Sequence, residues 1–185
     1  MHDIFFQNFL RAFIAIDPVS LIPVFAVLTS NLNFKVIIKL AFLVFFISSS
    51  VLAFFSFFGN NFLIFMGISL GSFQIIGGLF LLFISFEMVI EKRLQRKKDI
   101  VKKILSDEEI SDLAVFPISI PLVVGPSAIT LSILISKNLK FSFFSIYEQI
   151  LPIILTLIIS SLILLFANVI INFLNKIVIT IMQKI

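Results

Sequence analysis

Cysteine and tryptophan are absent from this 185-residue sequence, and its single histidine is His2. The lack of cysteine excludes disulfide bonds and thiol chemistry, and one histidine at the N-terminus excludes a zinc site with two histidines or a histidine-based catalytic triad. Charged residues are also scarce, at 13%, whereas 60% of the residues are hydrophobic. A soluble domain has about 25% charged residues, so this chain has too little polar surface to face water on all sides. We therefore predict an integral membrane protein without a metal or other cofactor.

The basic residues are concentrated in one stretch. It holds seven of the 14 Lys and Arg residues: Lys92, Arg93, Arg96, Lys97, Lys98, Lys102 and Lys103. Such a cluster between apolar runs is typical of a cytoplasmic loop, which predicts that residues 91–112 are cytoplasmic and that the N-terminus is outside. A lipid headgroup site is the alternative interpretation of the cluster. We do not expect nucleic acid as a partner.

The hydrophobic runs predict the number of membrane-spanning helices. A spanning helix needs about 20 mostly apolar residues. Five runs qualify, at 5–28, 40–58, 62–86, 113–135 and 146–171, and a sixth begins near Ile177 but is too short to span. The turn-forming residues Gly59, Asn60 and Asn61 predict a tight hairpin between the second and third runs. The predicted fold is an all-α bundle of transmembrane helices in which the sixth helix is truncated.

An internal repeat relates the first and fourth runs. With an offset of 103 residues, Phe13, Pro18, Pro23 and Thr29 match Phe116, Pro121, Pro126 and Ser132. Because three helices, an odd number, make up one copy, the second copy would cross the membrane in the opposite sense. Inverted repeats of this kind are typical of transporters. We predict a first three-helix repeat in 1–90, the basic loop in 91–112 and an incomplete second repeat in 113–185.

Each copy has two prolines five residues apart inside an apolar run, which predicts a kinked or broken helix. Asp17 is a natural N-cap for a half-helix that begins at Pro18, and Gly125 would precede another that begins at Pro126. Unwound backbone inside a bilayer must be covered by protein or line a water-filled cavity, so the two breaks are expected to face each other. The substrate-binding residues predicted there are Asp17, Pro18, Ser20, Pro23, Gly125, Pro126, Ser127 and, as a minority interpretation, Gln74. The alternative is that the prolines only kink the helices for packing.

Asp17 is the one acidic residue well inside a run. An ionised carboxylate at mid-bilayer costs at least about 2.5 kcal/mol on insertion scales. Its counterpart in the second copy is Ile120, so the repeat itself does not require the charge. Asp17 is therefore a candidate for coupling solute flux to a proton or a cation.

The third run carries small residues at helical spacing. Gly67, Gly71, Gln74 and Gly78 follow one another at intervals of four, three and four, with Gly77 beside them. This spacing predicts one helix face, on which small residues allow another helix to approach closely. We interpret the glycines as helix-packing residues.

Three segments together resemble the MarC family of multi-pass bacterial inner-membrane proteins: 16–25 (IDPVSLIPVF), 66–70 with 75–78 (MGISL, IIGG), and 114–117 with 120–126 (AVFP, IPLVVGP). The resemblance covers nearly the whole chain and implies six spanning helices, both termini outside and a place in the bacterial inner membrane. By similarity the family is grouped with small-solute exporters of the LysE type, and its transported substrate is generally not established. The chain departs from the family pattern at Ser20 and Ser127, where Gly is usual, and its sixth helix is only begun.

The predicted function is small-solute transport or export, and not enzymatic catalysis, because aspartyl chemistry would need a second acid beside Asp17. The expected partners are the lipid bilayer, a small polar solute and a proton or cation, and a homo-oligomer is left open. Two alternatives stand beside transport. One is a membrane scaffold or assembly protein whose glycine face binds partner helices, and the other is an inactive, truncated family member.

Overall fold

The computed structural model describes residues 2–30, 32–89, 107–138 and 142–182. All regular elements in these ranges are helical, which confirms the predicted all-α bundle. They are α1 (His2–Ile16), α2 (Leu21–Thr29), α3 (Phe34–Phe65), α4 (Leu70–Val89), α5 (Asp107–Leu113), α6 (Pro126–Asn138) and α7 (Phe143–Met182). A distorted segment, Ala114–Val123, joins α5 to α6. The basic cluster at 92–103 lies outside the described residues, and the orientation it indicates stays a prediction.

Two helices, α3 and α7, are long and apolar enough to cross a membrane. Two further pairs of helices are long and apolar enough to cross a membrane only when each pair is taken as one unit, and each pair is bent at a short break. The bend is 53° between α1 and α2, and 70° between Glu108–Val123 and Pro126–Ser136. The described part of the chain therefore holds two candidate spans, or four if each bent pair is one span. The sequence predicted five spanning runs, whereas the described residues hold at most four candidate spans.

Helix α3 runs without interruption through Gly59, Asn60 and Asn61, so the predicted tight hairpin is wrong. A Cβ atom added to Gly59 would lie 2.7 Å from Cγ1 and 3.3 Å from Cα of Ile133 in α6. The Asn60 backbone N–H also donates to the Ser136 hydroxyl at 3.3 Å. Gly59 therefore permits close contact between two helices and does not form a turn.

The true end of α3 lies at Gly67, which has a φ of +65°. The Gly67 N–H donates to the Ile64 carbonyl at 3.0 Å, and the Ile68 N–H donates to the Leu63 carbonyl at 2.9 Å. This pair of bonds is the Schellman arrangement, in which a left-handed residue ends a helix and satisfies its last carbonyl groups. Gly67 thus lies outside α4, and the predicted single helix face from Gly67 to Gly78 is wrong.

Helix α7 continues from Phe143 to Met182, so the predicted break before Ile177 is also wrong. The repeat offers a reason, because the position that matches Gly67 is Ile170. A β-branched residue at positive φ is a severe conformational outlier. The second copy therefore lacks the residue that ends α3, and its long helix extends further.

The two long helices hold the bundle together. Helix α3 packs on α6 and on the distorted segment, whereas α7 packs on α1 and α2, and α3 and α7 also contact each other. One buried cluster draws on both copies of the repeat, with Phe25, Leu40, Ile118 and Leu164 fully buried. Each broken pair is thus supported by the long helix of the other copy.

Helix α4 packs chiefly on α6 and exposes much of its apolar surface. Six of its large apolar side chains are 62–67% exposed: Ile75, Ile76, Leu79, Leu82, Phe83 and Phe86. A Cβ atom added to Gly78 would meet nothing within 4 Å, and one added to Gly71 would meet only the Ser69 hydroxyl, at 3.9 Å. Close helix packing at these two glycines is therefore not found among the described residues. Gly77 lies in α4, but its surroundings are outside what the structure describes.

Candidate functional site

The first break separates α1 from α2. Helix α1 ends at Ile16, Asp17 has a φ of +50°, and a turn over Pro18–Ser20 leads into α2 at Leu21. The side chain of Pro18 is buried, whereas those of Asp17 and Ser20 are exposed. The predicted break is present, but its half-helix begins three residues after Pro18.

Asp17 stabilises this break through a side-chain hydrogen bond. Its Oδ1 accepts the Ser20 backbone N–H at 3.3 Å, the bond that an N-cap residue makes to the third residue after it. The positive φ of Asp17 differs from the extended conformation of an ordinary N-cap. Pro23 is exposed and is the third residue of α2, within the first turn, where a backbone N–H would have no intrahelical acceptor. Pro23 is therefore tolerated in α2, and the chain breaks at Pro18 instead.

The second break lies at Val124 and Gly125. Upstream of it, Phe116 and Ile120 have extended φ/ψ angles, as residues before proline usually do, and Pro117 and Pro121 follow cis peptide bonds. Helix α6 begins at Pro126, as predicted, and the buried Gly125 accepts the Ile129 N–H on its carbonyl at 3.0 Å.

The two breaks are in direct contact. The Ser127 hydroxyl, in the first turn of α6, donates to the carbonyl of Ala15, in the last turn of α1, at 2.5 Å. The last carbonyl groups of a helix have no intrahelical donor, so this bond satisfies one of them. It also brings the partly positive start of α6 beside the partly negative end of α1. Ser127 therefore joins the two halves of the repeat at the unwound backbone.

A groove of about 330 Å³ lies between α4 and α6, beside the second break. Its described lining residues come from these two helices: Gln74, Gly78, Pro126, Ser127, Thr130, Leu131 and Leu134. This volume is at the lower end of the range typical of small-molecule sites, about 300–1,000 Å³. We take this groove as the candidate substrate site.

The predicted site residues divide into two groups. Gln74, Pro126 and Ser127 line the groove, and so does Gly78, which the sequence assigned to helix packing. Asp17, Pro18, Ser20, Pro23 and Gly125 are not among its described lining residues. The sequence missed Thr130, Leu131 and Leu134. They follow Ser127 at spacings of three, four and seven, so helical periodicity would have found them once Ser127 was chosen.

A second polar contact ties the first broken pair to α7. The Asn168 amide donates to the Thr29 hydroxyl oxygen at 2.9 Å, and the Thr29 hydroxyl donates to the Phe25 carbonyl at 2.8 Å. Thr29 is 1% exposed and has a partner for both its donor and its acceptor. Hydrogen bonds between apolar helices contribute about 0.6–2 kcal/mol, so this pair is a structural element.

The described helices include apolar ones long enough to cross a membrane, and the breaks of the two bent pairs are in contact. The protein is therefore an all-helical integral membrane protein. The chain belongs to the MarC family, because the family model described as "MarC family integral membrane protein" matches residues 2–185. This match confirms the resemblance noted in the three sequence segments.

Curated relatives come from bacteria and archaea. The chain is 31% identical over 131 residues to a UPF0056 membrane protein of Buchnera aphidicola subsp. Acyrthosiphon pisum, covering 71% of this chain and 60% of the relative. It is 37% identical over 128 residues to a UPF0056 membrane protein of Methanocaldococcus jannaschii, covering 67% of this chain and 62% of the relative. The UPF0056 membrane protein YhcE of Escherichia coli is 31% identical over 132 residues, covering 70% and 60%. The matched region thus spans about 60% of the length of these relatives, and no solved structure matches.

Proposed function

We propose that this protein is a small-solute transporter, acting as an exporter, in the inner membrane of a bacterium. The observation that carries the proposal is the position of Ser127, which lines the groove and also bonds across to the first break at Ala15. A solute that contacts Ser127 would touch the point where both broken helices meet. Substrate binding would then bias the arrangement of the two breaks.

Broken helices suit this role because their ends offer hydrogen-bonding groups that an intact helix uses internally. Ser127 lies at the start of α6, where its hydroxyl oxygen can accept a hydrogen bond while its proton is donated to Ala15, and Gln74 and Thr130 add an amide and a hydroxyl group to the lining. These groups would replace part of the water shell of a polar solute. In this scheme the protein moves the solute without catalysing a reaction on it.

Asp17 is the proposed coupling residue for a proton or a cation. It lies two residues after Ala15, the acceptor of the Ser127 hydrogen bond, and its own carboxylate contacts the turn that begins the next half-helix. A change in its protonation would alter that turn and reach the groove through Ala15 and Ser127. The N-terminus is proposed to lie outside, with residues 91–112 in the cytoplasm.

The absence of cysteine gives a direct test. Single cysteines replace Asp17, Ser20 and Ser127, and membrane-impermeant thiol reagents are added from each side in turn. We expect labelling from both sides, because a transport site is exposed alternately to each compartment. Exposed Ser142 provides a reactive control, and Ile76, on the exposed apolar surface of α4, provides a control that we expect to face lipid.

Failure to label positions 17, 20 and 127 from either side, with Ser142→Cys reactive, would contradict transport through this site. The exposed apolar surface of α4 favours the second candidate, a scaffold or assembly role in which partner helices cover that surface. A stable complex recovered after mild solubilisation, together with unlabelled breaks, would support this alternative. A homo-oligomer would be one form of it.

A further inference from the structure

The lining of the groove also bears on the chemical class of the solute. We propose that the groove takes a neutral, amphipathic small molecule, which it recognises by hydrogen bonds along one side and by apolar contact along the other. This inference rests on the proposed transport function and specifies its substrate.

Polar groups are few and uncharged in the groove. The described lining offers one amide, on Gln74, and two hydroxyl groups, on Ser127 and Thr130, and no charged side chain is among these described lining residues. The remaining contacts are apolar, chiefly Leu131 and Leu134. Moving an ion from water into such surroundings without an opposite charge is far more costly than moving a neutral polar group that finds hydrogen-bond partners.

The helix ends do not supply a strong net charge. The start of α6 alone would attract an anion. The end of α1 lies beside it, however, with the Ala15 carbonyl held by Ser127, and its partial charge has the opposite sign. Asp17 lies two residues further along, where its carboxylate disfavours anions but accepts the Ser20 N–H outside the described lining. The pairing of the two helix ends therefore favours a neutral solute.

The two copies of the repeat differ at these positions. With the offset of 103 residues, Ser127 and Thr130 match Val24 and Val27 in the first copy. The fold thus tolerates apolar side chains at the equivalent places in α2, and hydroxyl groups are not needed to form the half-helix. Their presence on α6 alone indicates one polar site beside the second break.

The size of the groove matches a small ligand. Its volume of about 330 Å³ equals roughly eleven water molecules at about 30 Å³ each. This space suits a small molecule.

The test compares thiol reagents of similar size and different charge on the full chain in proteoliposomes. A single cysteine at Thr130 is modified with a neutral hydroxyethyl, a cationic trimethylammonium-ethyl or an anionic sulfonatoethyl methanethiosulfonate. Each rate is divided by the rate of the same reagent at Ser142→Cys, which corrects for intrinsic reactivity. We expect the normalised neutral rate to exceed both charged rates by about tenfold or more, because the charged reagents lose hydration without a counter-charge.

Each other outcome has a defined meaning. Equal normalised rates, or a faster charged reagent, would overturn the neutral substrate class while leaving transport intact. No modification of Thr130→Cys by any reagent, with Ser142→Cys reactive, would instead contradict the proposed transport function. Fast neutral modification of Ile76→Cys would also overturn the inference, because the preference would then belong to the bilayer.

A second variant checks that Gln74 and Thr130 share one compartment. Gln74→Glu in the Thr130→Cys background should raise the cationic rate and lower the anionic rate. Gln7→Glu makes the same chemical change on exposed Gln7 of α1 and should leave the ratio of the cationic rate to the anionic rate unchanged. Identical ratios in the two variants would mean that Gln74 does not face the reagent path, which would overturn the proposed site.

Discussion

Two glycines exchange the roles that their local sequence predicts. Gly59 stands beside two asparagines, a turn-like combination, but lies inside α3 against Ile133. Gly67 stands four residues before Gly71, at helical spacing, but has a positive φ and ends α3. A turn and a close helix contact both require a residue without a Cβ atom, so the sequence alone does not distinguish them. The start of α6 at Pro126, in contrast, follows from rules that act between adjacent residues and is predicted correctly.

Gly59→Ala should destabilise the protein by about 1–3 kcal/mol, because the new methyl group overlaps Ile133. Gly78→Ala is the matched control, since its Cβ would meet no described atom within 4 Å and Ala is the better helix former. Thermal unfolding in detergent measures both variants. If Gly59→Ala and Gly78→Ala have the same melting temperature, the close contact between α3 and α6 is incorrect. Ile133→Ala should cost less in the Gly59→Ala background than in the native chain, because the added methyl group fills part of the space that Ile133 leaves.

Gly67→Ala should cost about 1–2 kcal/mol for a different reason, since an L-residue is strained in the left-handed region even where space is free. The control is Gly71→Ala in α4, where the nearest atom would be 3.9 Å from the added Cβ and a helix favours Ala over Gly. The free energies of unfolding should therefore change in opposite directions. A stabilising Gly67→Ala would place this residue in a helix after all and restore the predicted glycine face.

At the scale of secondary-structure elements, the sequence predicts that one helix in each repeat is broken, but it does not predict how the two breaks contact each other. Paired prolines act on their own helix, so both bends follow from local chemistry. The contact from Ser127 to Ala15 and the groove beside Thr130 depend instead on how α1, α4 and α6 pack. The long α7 shows the same limit. The apolar runs predict separate helices before 171 and after Ile177, but α7 continues through this region and has Ile170 at the position where α3 has the glycine that ends it.

Ser127→Ala should loosen the joined breaks. It removes the only hydroxyl on the Ala15 carbonyl found among the described residues, at a cost of about 1 kcal/mol, and should increase the labelling rate of a cysteine at Ser20. Ser50→Ala is a matched control, because the Ser50 hydroxyl donates to the Phe46 carbonyl of its own helix. Equal labelling rates in the two variants would show that Ser127 does not couple the breaks.

For the whole molecule, the two broken pairs share one support. Each broken pair packs on the long helix of the other copy, so α3 and α7 form a support to which both pairs are attached. The bends differ, at 53° and 70°, and the described groove lies beside the larger one. In the proposed transport, an exchange of the two bends between the pairs would open the groove to the other side of the membrane.

The coupling role of Asp17 can be separated from its role in the turn by two substitutions. Asp17→Asn keeps an oxygen that can accept the Ser20 N–H and is a residue tolerated at positive φ, but it cannot bind or release a proton near neutral pH. Asp17→Ala removes the acceptor as well. Each Thr130→Cys labelling rate is divided by the Ser142→Cys rate at the same pH, because the thiolate is the reacting species and every exposed thiol labels faster as the pH rises. If Asp17 couples flux, both variants should lose the pH dependence of this normalised rate. Only Asp17→Ala should also lower the melting temperature, since it removes a bond that contributes about 1 kcal/mol and places Ala at a positive φ.

The control for this measurement is Asp112→Asn in the short helix α5, which removes an exposed carboxylate twelve residues before the second break at Val124. It should leave the pH dependence unchanged. Persistent pH dependence in Asp17→Asn would show that the carboxylate serves the turn alone, and the coupled ion would then have to bind elsewhere. Loss of the pH dependence in Asp17→Ala but not in Asp17→Asn would also show that the carboxylate serves the turn alone. The two variants share the missing charge and differ in the hydrogen bond to Ser20.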